Sequence, residues 1–250
     1  MGLGVKPRAN LSAAGVMDHS DFRKDPFARL RGTLETMLEI TFGDGDQAAA
    51  AAHRVGAVHA GVYGQLEMPI GGVSSGTRYL ATDPNLALWV HATLIYTALK
   101  GYAWFVGSIS ESERSRYYEE TKAQAELFAI SRSDLPDTFT GFRAYMTDML
   151  EGPLLTGRGP AFELATSIFE PVAPAPLRAI ARSMRSTAAP FLSHRLRREF
   201  GLSWTSRERA GLRAATSALR MVIPVLPPAV RFWPHYRVAL QRTGARGKVE

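Results

Sequence analysis

The sequence predicts an all-α fold in a single helical domain. Three observations carry this. From about residue 21 onward, apolar residues recur at helical spacing almost throughout. Helix start and stop residues punctuate the chain at matching places. No segment alternates polar and apolar as a half-buried strand does, and no internal repeat is present. With 250 residues, 46% of them hydrophobic, the chain can enclose one sizeable core. We divide it into a flexible N-terminal segment, 1–20, rich in Gly, Ser, Ala and Asn without periodicity, and one helical domain, 21–250.

The elements follow in order. Leu30, Leu34, Met37, Leu38 and Thr41 mark one helix face, and Gly43 suits its C-terminal end. Asp44 or Asp46 caps a second helix through the alanine run to Tyr63. Gly64, Pro69, Gly71, Gly72 and Gly76 break residues 64–82 into a loop or short hairpin. Asp83-Pro84 is a strong start signal, because Asp caps and Pro suits the first turn. The helix it opens, 85–106, is apolar on most sides and is expected at the centre. Ser110-x-x-Glu113 forms a capping box for a helix to about Phe128, and Thr205-x-x-Glu208 forms another for 205–223. Helices also fit 137–150, 160–169, 175–200 with a break near Pro190, and 234–242.

Composition excludes several kinds of chemistry. Cysteine is absent, so there is no disulfide, zinc ribbon, thiolate-held iron–sulfur cluster, cysteine nucleophile or thiolate-ligated haem. The longest apolar run is interrupted by His91, Lys100 and Gly101, short of a bilayer span. No apolar stretch follows Lys6 and Arg8, and we expect a cytoplasmic protein. Charge is uneven. Residues 176–250 carry fifteen Arg or Lys against three Glu, a net +12, and the first 175 residues carry a net −5. A basic C-terminal third suits either a solvated arginine-rich surface or peripheral contact with anionic membrane. It carries no nucleic-acid-binding signature, so no nucleic-acid partner is expected.

Five groups of residues are candidates for chemistry. Gly72-Val73-Ser74-Ser75-Gly76 matches the spacing of a nucleophile elbow, yet no helix follows it, and a chance glycine loop is the better reading. No histidine is preceded three residues earlier by an acid, which discards a carboxylate-bridged di-iron bundle. His59 shares a face with Val55, Val58 and Val62. It is either a core histidine bonded to a backbone carbonyl or the axial ligand of a haem b. Arg29 and Thr33 stack four residues apart, suited to an anionic group or bound dioxygen, or else to an ion pair and a packed threonine. His91 lies in the most apolar helix, as a ligand, a partner to a ligand, or a hydrogen-bonded structural residue.

Taken in order, several segments resemble one family. They are Arg29-Leu30-Arg31-Gly32-Thr33, Phe42-Gly43, Val58-His59-Ala60-Gly61-Val62-Tyr63-Gly64 and Tyr79-Leu80-Ala81-Thr82-Asp83-Pro84. Trp89-Val90-His91-Ala92-Thr93-Leu94, Tyr117-Tyr118-Glu119-Glu120, Leu135-Pro136-Asp137-Thr138, Leu226-Pro227-Pro228 and Trp233-Pro234 follow. The series is similar to the MpaB-type oxygenases, which include a fungal mycophenolic-acid pathway oxygenase and the latex-clearing rubber oxygenases. It runs from about residue 20 to 242.

The resemblance implies a globin-like helical core around haem b. Motif order would make His59 the metal ligand and place Arg29 and Thr33 near the haem as catalytic residues, with His91 in a recurrent motif beside the cofactor. It implies a haem-dependent oxygenase that uses dioxygen or a peroxide to cleave a carbon–carbon double bond in an apolar, isoprenoid-like small molecule. The alternative is a non-catalytic helical protein that binds haem or lipid. The rubber oxygenases carry a lysine just before the threonine. Here Gly32 occupies that position, a departure that weighs against polyisoprene as substrate.

Overall fold

A computed structural model describes residues 9–19, 26–153, 155–170 and 174–244. Among them are twelve α-helices and one two-stranded antiparallel hairpin, as the helical periodicity predicts.

The N-terminal segment departs from expectation. Its residues 9–19, read as flexible, form α1 (Ala9–His19). Leu11 and Ala14 are buried against Leu66, Ile70, Val73, Tyr79 and Leu86. The Tyr79 hydroxyl donates to Asp18, and His19 Nε2 bonds the Tyr63 carbonyl at 2.8 Å. Long-range packing holds this helix, because its own Gly, Ser and Ala offer little apolar periodicity.

Next, α2 (Pro26–Phe42) turns back into α3 (Gly45–Ala60) through only Gly43 and Asp44. The Gly43 amide closes α2 onto the Glu39 carbonyl at 2.8 Å. Asp44 opens α3 with a full capping box: its carboxylate accepts from the Gln47 amide at 2.8 Å, and the Gln47 side chain accepts from the Asp44 amide at 3.0 Å. A Cβ at Gly43 would collide with the Glu39 carbonyl and lie 2.9 Å from Gln47 Cβ. The buried face of α3 is all alanine (Ala48, Ala51, Ala52), so its neighbours approach closely.

The glycine-rich stretch is a short hairpin, β1 (Tyr63–Gln65) with β2 (Arg78–Leu80), in register Gly64 to Tyr79. Asp83 then caps α4 (Pro84–Phe105), accepting from the Asn85 amide at 2.9 Å. This helix is central, packing on α1 and on α5 (Glu111–Glu126), which its Ser110–Glu113 capping box opens. Ala92 and Ile95 of α4 join Tyr118 of α5 and Phe142, Met146 and Met149 of α6 (Phe139–Glu151) in the largest core cluster. The buried Tyr118 donates its hydroxyl to the Pro136 carbonyl at 2.6 Å.

The last third is held by arginines. The segment expected to break near Pro190 does so. It comprises α8 (Ala175–Ala188), a 3-10 turn at Ala189–Phe191 and α9 (His194–Glu199), preceded by α7 (Pro160–Phe169). Arg195 of α9 pairs with Glu199 at 2.8 Å and donates to the Leu155 and Gly152 carbonyls at 2.9 and 2.6 Å. Glu199 in turn accepts from the Gly157 amide at 2.7 Å. The chain then continues as α10 (Ser206–Val222), α11 (Pro228–Arg231) and α12 (Pro234–Arg242). Arg220 donates to the Ala103 and Trp104 carbonyls at the end of α4, and Arg242 donates to the Phe42 carbonyl at the end of α2. Both satisfy carbonyls a helix leaves open at its C-terminus.

Two glycines give opposite expectations. Gly43→Ala loses about 1–3 kcal/mol, because the close approach cannot relax without opening the hairpin. Gly32→Ala, inside α2 with nothing near its added methyl, gains about 0.5–1 kcal/mol. Thermal or denaturant unfolding of the two variants checks both signs.

Candidate functional site

A cavity of about 1180 Å³ lies beside the α2–α3 turn, walled by α4 and α5 and by residues of α7, the 189–191 turn and the segment after α9. Small-molecule sites generally span about 300–1,000 Å³, so this one takes a large ligand. Its lining is mainly apolar, with Met37, Ile95, Leu127, Phe169, Phe191 and Leu202 on different sides.

The polar groups in that wall come from α4 and α5. His91 is 4% exposed and lines the cavity. Its pKa is lowered by burial, against which a hydrogen bond to the Thr121 backbone works. The bond to Thr121 occupies one ring nitrogen, and Nε2 is buried with no partner. A buried polar atom without a partner is costly, and a ligand that accepts or provides a bond there relieves the cost. Tyr117, Glu120 and Gln124 line the same wall from α5. Burial pushes the Tyr117 phenol up, so it remains a neutral donor. In the adjoining core, Tyr145 has an unpartnered buried hydroxyl, pushed up to about 12 by burial.

Arg29, Thr33 and His59 lie elsewhere, outside the cavity lining. All three are exposed. The α2–α3 hairpin brings the start of α2 beside the end of α3, and so Arg29 near His59. The His59 pKa is lowered first by partial desolvation and then by the Arg29 charge. Val58 is also exposed and α3 ends at Ala60, so the apolar wall expected around His59 from its valine spacing is not a closed core. Thr33 donates its hydroxyl to the Arg29 carbonyl at 3.0 Å, within the helix. Its oxygen keeps lone pairs free for a donor. The structure therefore puts Arg29 near His59 and sets His91 apart, in the cavity wall.

One apolar face links the two neighbourhoods. Leu30 and Leu34 are exposed on α2, and Met37 and Thr41 continue their face into the cavity. Thr33 lies one turn, about 6 Å along the axis, from Met37. On α4, exposed Val90 and Leu94 flank His91 in the same way. The α2 stripe thus runs from the turn that carries Arg29 to the cavity wall at Met37 and Thr41.

Among the described residues, no group of three or more His, Asp or Glu is placed to hold a bare metal ion. A porphyrin-bound iron asks for only one or two protein ligands, and neutral imidazole is the ligating form. Lowered pKa values keep His59 and His91 neutral near pH 7, so the residues present fit such a group. The Gly72–Gly76 motif sits in the hairpin loop, with Gly72 and Gly76 at positive φ and a strand after it, not a helix. It is not a nucleophile elbow. Tyr145 and the Arg195–Glu199 pair escaped sequence reasoning, and Tyr117 was read only as part of a family motif. The four-residue spacing of Arg195 and Glu199 was the one signal that pointed to them.

A family profile described as the catalytic domain of the ER-bound oxygenase mpaB/B' and of rubber oxygenase matches residues 8–221. The chain is also 24% identical over 213 residues to an uncharacterised protein of Mycobacterium bovis and, to the same extent, to one of Mycobacterium tuberculosis. Each match covers 84% of this chain and 80% of the relative. No solved structure matches significantly.

The state of His91 has a measurable consequence. Folding lowers its pKa, so as pH falls the unfolded chain takes up the proton before the folded chain does. His91 therefore costs nothing well above the ordinary imidazole value of 6.5 and costs stability increasingly below it. Melts of the protein at pH 7.5 and 5.5 should show that loss, and His91→Leu should reduce it (pH values about those of common buffers).

Proposed function

The chain belongs to the family of MpaB and rubber oxygenase catalytic domains, and on that premise we propose that it is a haem b-dependent oxygenase of an apolar small molecule. The observation that carries the reading is the large, mainly apolar cavity, sized for a bulky ligand. When bound, haem b would supply the redox chemistry that turns dioxygen or a peroxide into an oxidant for a carbon–carbon double bond. Cleavage by dioxygen places one oxygen atom on each carbon of that bond and gives two carbonyls.

His59 would hold the iron, as motif order in the family implies. Its lowered pKa favours the neutral, ligating imidazole. Arg29 and Thr33 bring a fixed positive charge and a hydroxyl to the same end of the hairpin. There they suit developing negative charge on oxygen. The cavity walls around Ile95, Phe169 and Phe191 would shield a bound apolar molecule from water. They also select an apolar substrate, and an isoprenoid chain suits them. Gly32 leaves the space before Thr33 without a side chain, which distinguishes this mouth from the lysine-bearing rubber oxygenases.

The test is the absorption spectrum after reconstitution with hemin, for the wild type, His59→Ala and His91→Ala. We expect a Soret band in the wild type that His59→Ala loses or shifts and His91→Ala retains. A band lost in His91→Ala alone would transfer the ligand to His91. No band in the wild type would overturn the haem reading and leave a helical binding protein for apolar molecules. Oxygen uptake that depends on added alkene then separates an oxygenase from a haem carrier.

A further inference from the structure

We propose that the end of α10, the 223–225 turn, α11 and α12 form a docking surface for an anionic lipid bilayer. This goes beyond the oxygenase reading and does not depend on it.

The surface is apolar where solvent would favour polar residues. Val225 is 79% exposed, Met221 71%, Val230 70% and Trp233 53%. Val222 and Val238 are exposed beside them in sequence. These residues span four successive short elements, so solvent-facing apolar side chains recur over some eighteen positions, 221–238. Exposed apolar side chains this dense along one stretch point to an interaction site. Trp at half exposure suits the headgroup level of a bilayer, where its ring is apolar and its N–H is wet.

The same stretch is strongly basic. Between residues 206 and 242 stand Arg207, Arg209, Arg213, Arg220, Arg231, Arg237 and Arg242, against Glu208 alone. Glu208 is committed to its own capping box and to Ser203. Among the described residues, no ion pair joins any of these arginines to a carboxylate. On α10, Arg209, Arg213 and Arg220 share one face, and Leu212, Leu219 and Val222 share the next. Apolar residues beside arginines that lack an acidic partner match a bilayer whose interior is apolar and whose headgroups are anionic.

The charge also weighs against other occupants. A second copy related by a two-fold axis would set this arginine-rich face against itself, which like-charge repulsion opposes. A nucleic acid would satisfy the arginines and leave the valines against phosphate. No helix among the described residues is long and apolar enough to cross a membrane, so the contact is peripheral.

The test is flotation of the full chain with vesicles. Mixed phosphatidylcholine and phosphatidylglycerol vesicles should carry the protein at low salt. Phosphatidylcholine alone should carry little. In about 1 M salt, where screening acts within ~3 Å, the binding should weaken strongly. Val225→Asp with Val230→Asp should weaken it about tenfold or more. Arg213→Glu with Arg237→Glu should weaken it at low salt and make little difference at high salt. All these side chains are exposed, so the variants should melt as the wild type does. Vesicle binding unchanged in both variants, or equal on neutral and anionic vesicles, would overturn the proposal. So would a wild-type dimer that Val225→Asp with Val230→Asp splits, because a second copy would then cover the face.

Discussion

The two-residue turn between α2 and α3 is the constraint on which the site depends. Helices of 17 and 16 residues are each about 25 Å long. Folded back on one another, they bring residues thirty positions apart to the same end. Arg29 can reach the field of His59 only because Gly43 lets the Glu39 carbonyl approach and Asp44 restarts the helix at once. At the turn end, the same two helices contribute Met37, Ile40 and Ala48 to the cavity wall. One turn therefore sets both ends of the site.

Much of this was legible because it is local. Asp44, Asp83, Ser110 and Thr205 all cap where their chemistry says they should, and Pro190 breaks its helix. A cap needs only residues within one turn, so spacing alone reveals it. The α1 helix was not legible, because its stability comes from Leu66, Tyr79 and Leu86, more than fifty residues away. Nor was the Arg195–Glu199 clamp, whose partners are backbone carbonyls and an amide forty residues earlier. Three arginines of the basic third, Arg195, Arg220 and Arg242, read only as charge, in fact close helix ends and fasten loops.

The site divides in the same manner. Arg29 and Thr33 were legible as a pair because four residues make a helical turn. That His59 would be open to solvent while His91 lined the cavity was not legible. The valines beside His59 are a local signal of burial, but α3 ends there and Val58 is exposed. His91 lines the cavity with its Nε2 buried and unpartnered, on the wall that α4 shares with α5. Which histidine faces the ligand space is decided by the neighbouring helix and not by either histidine's own.

Gly32 stands one residue before Thr33, and no atom lies near the place its side chain would occupy. Stability and chemistry are decoupled at that position. A Cβ could be installed there without repacking a neighbour, and it would stand one helical turn from Arg29. The fold thus carries an open position on α2 beside Arg29, where a side chain can be added while the scaffold beneath stays the same.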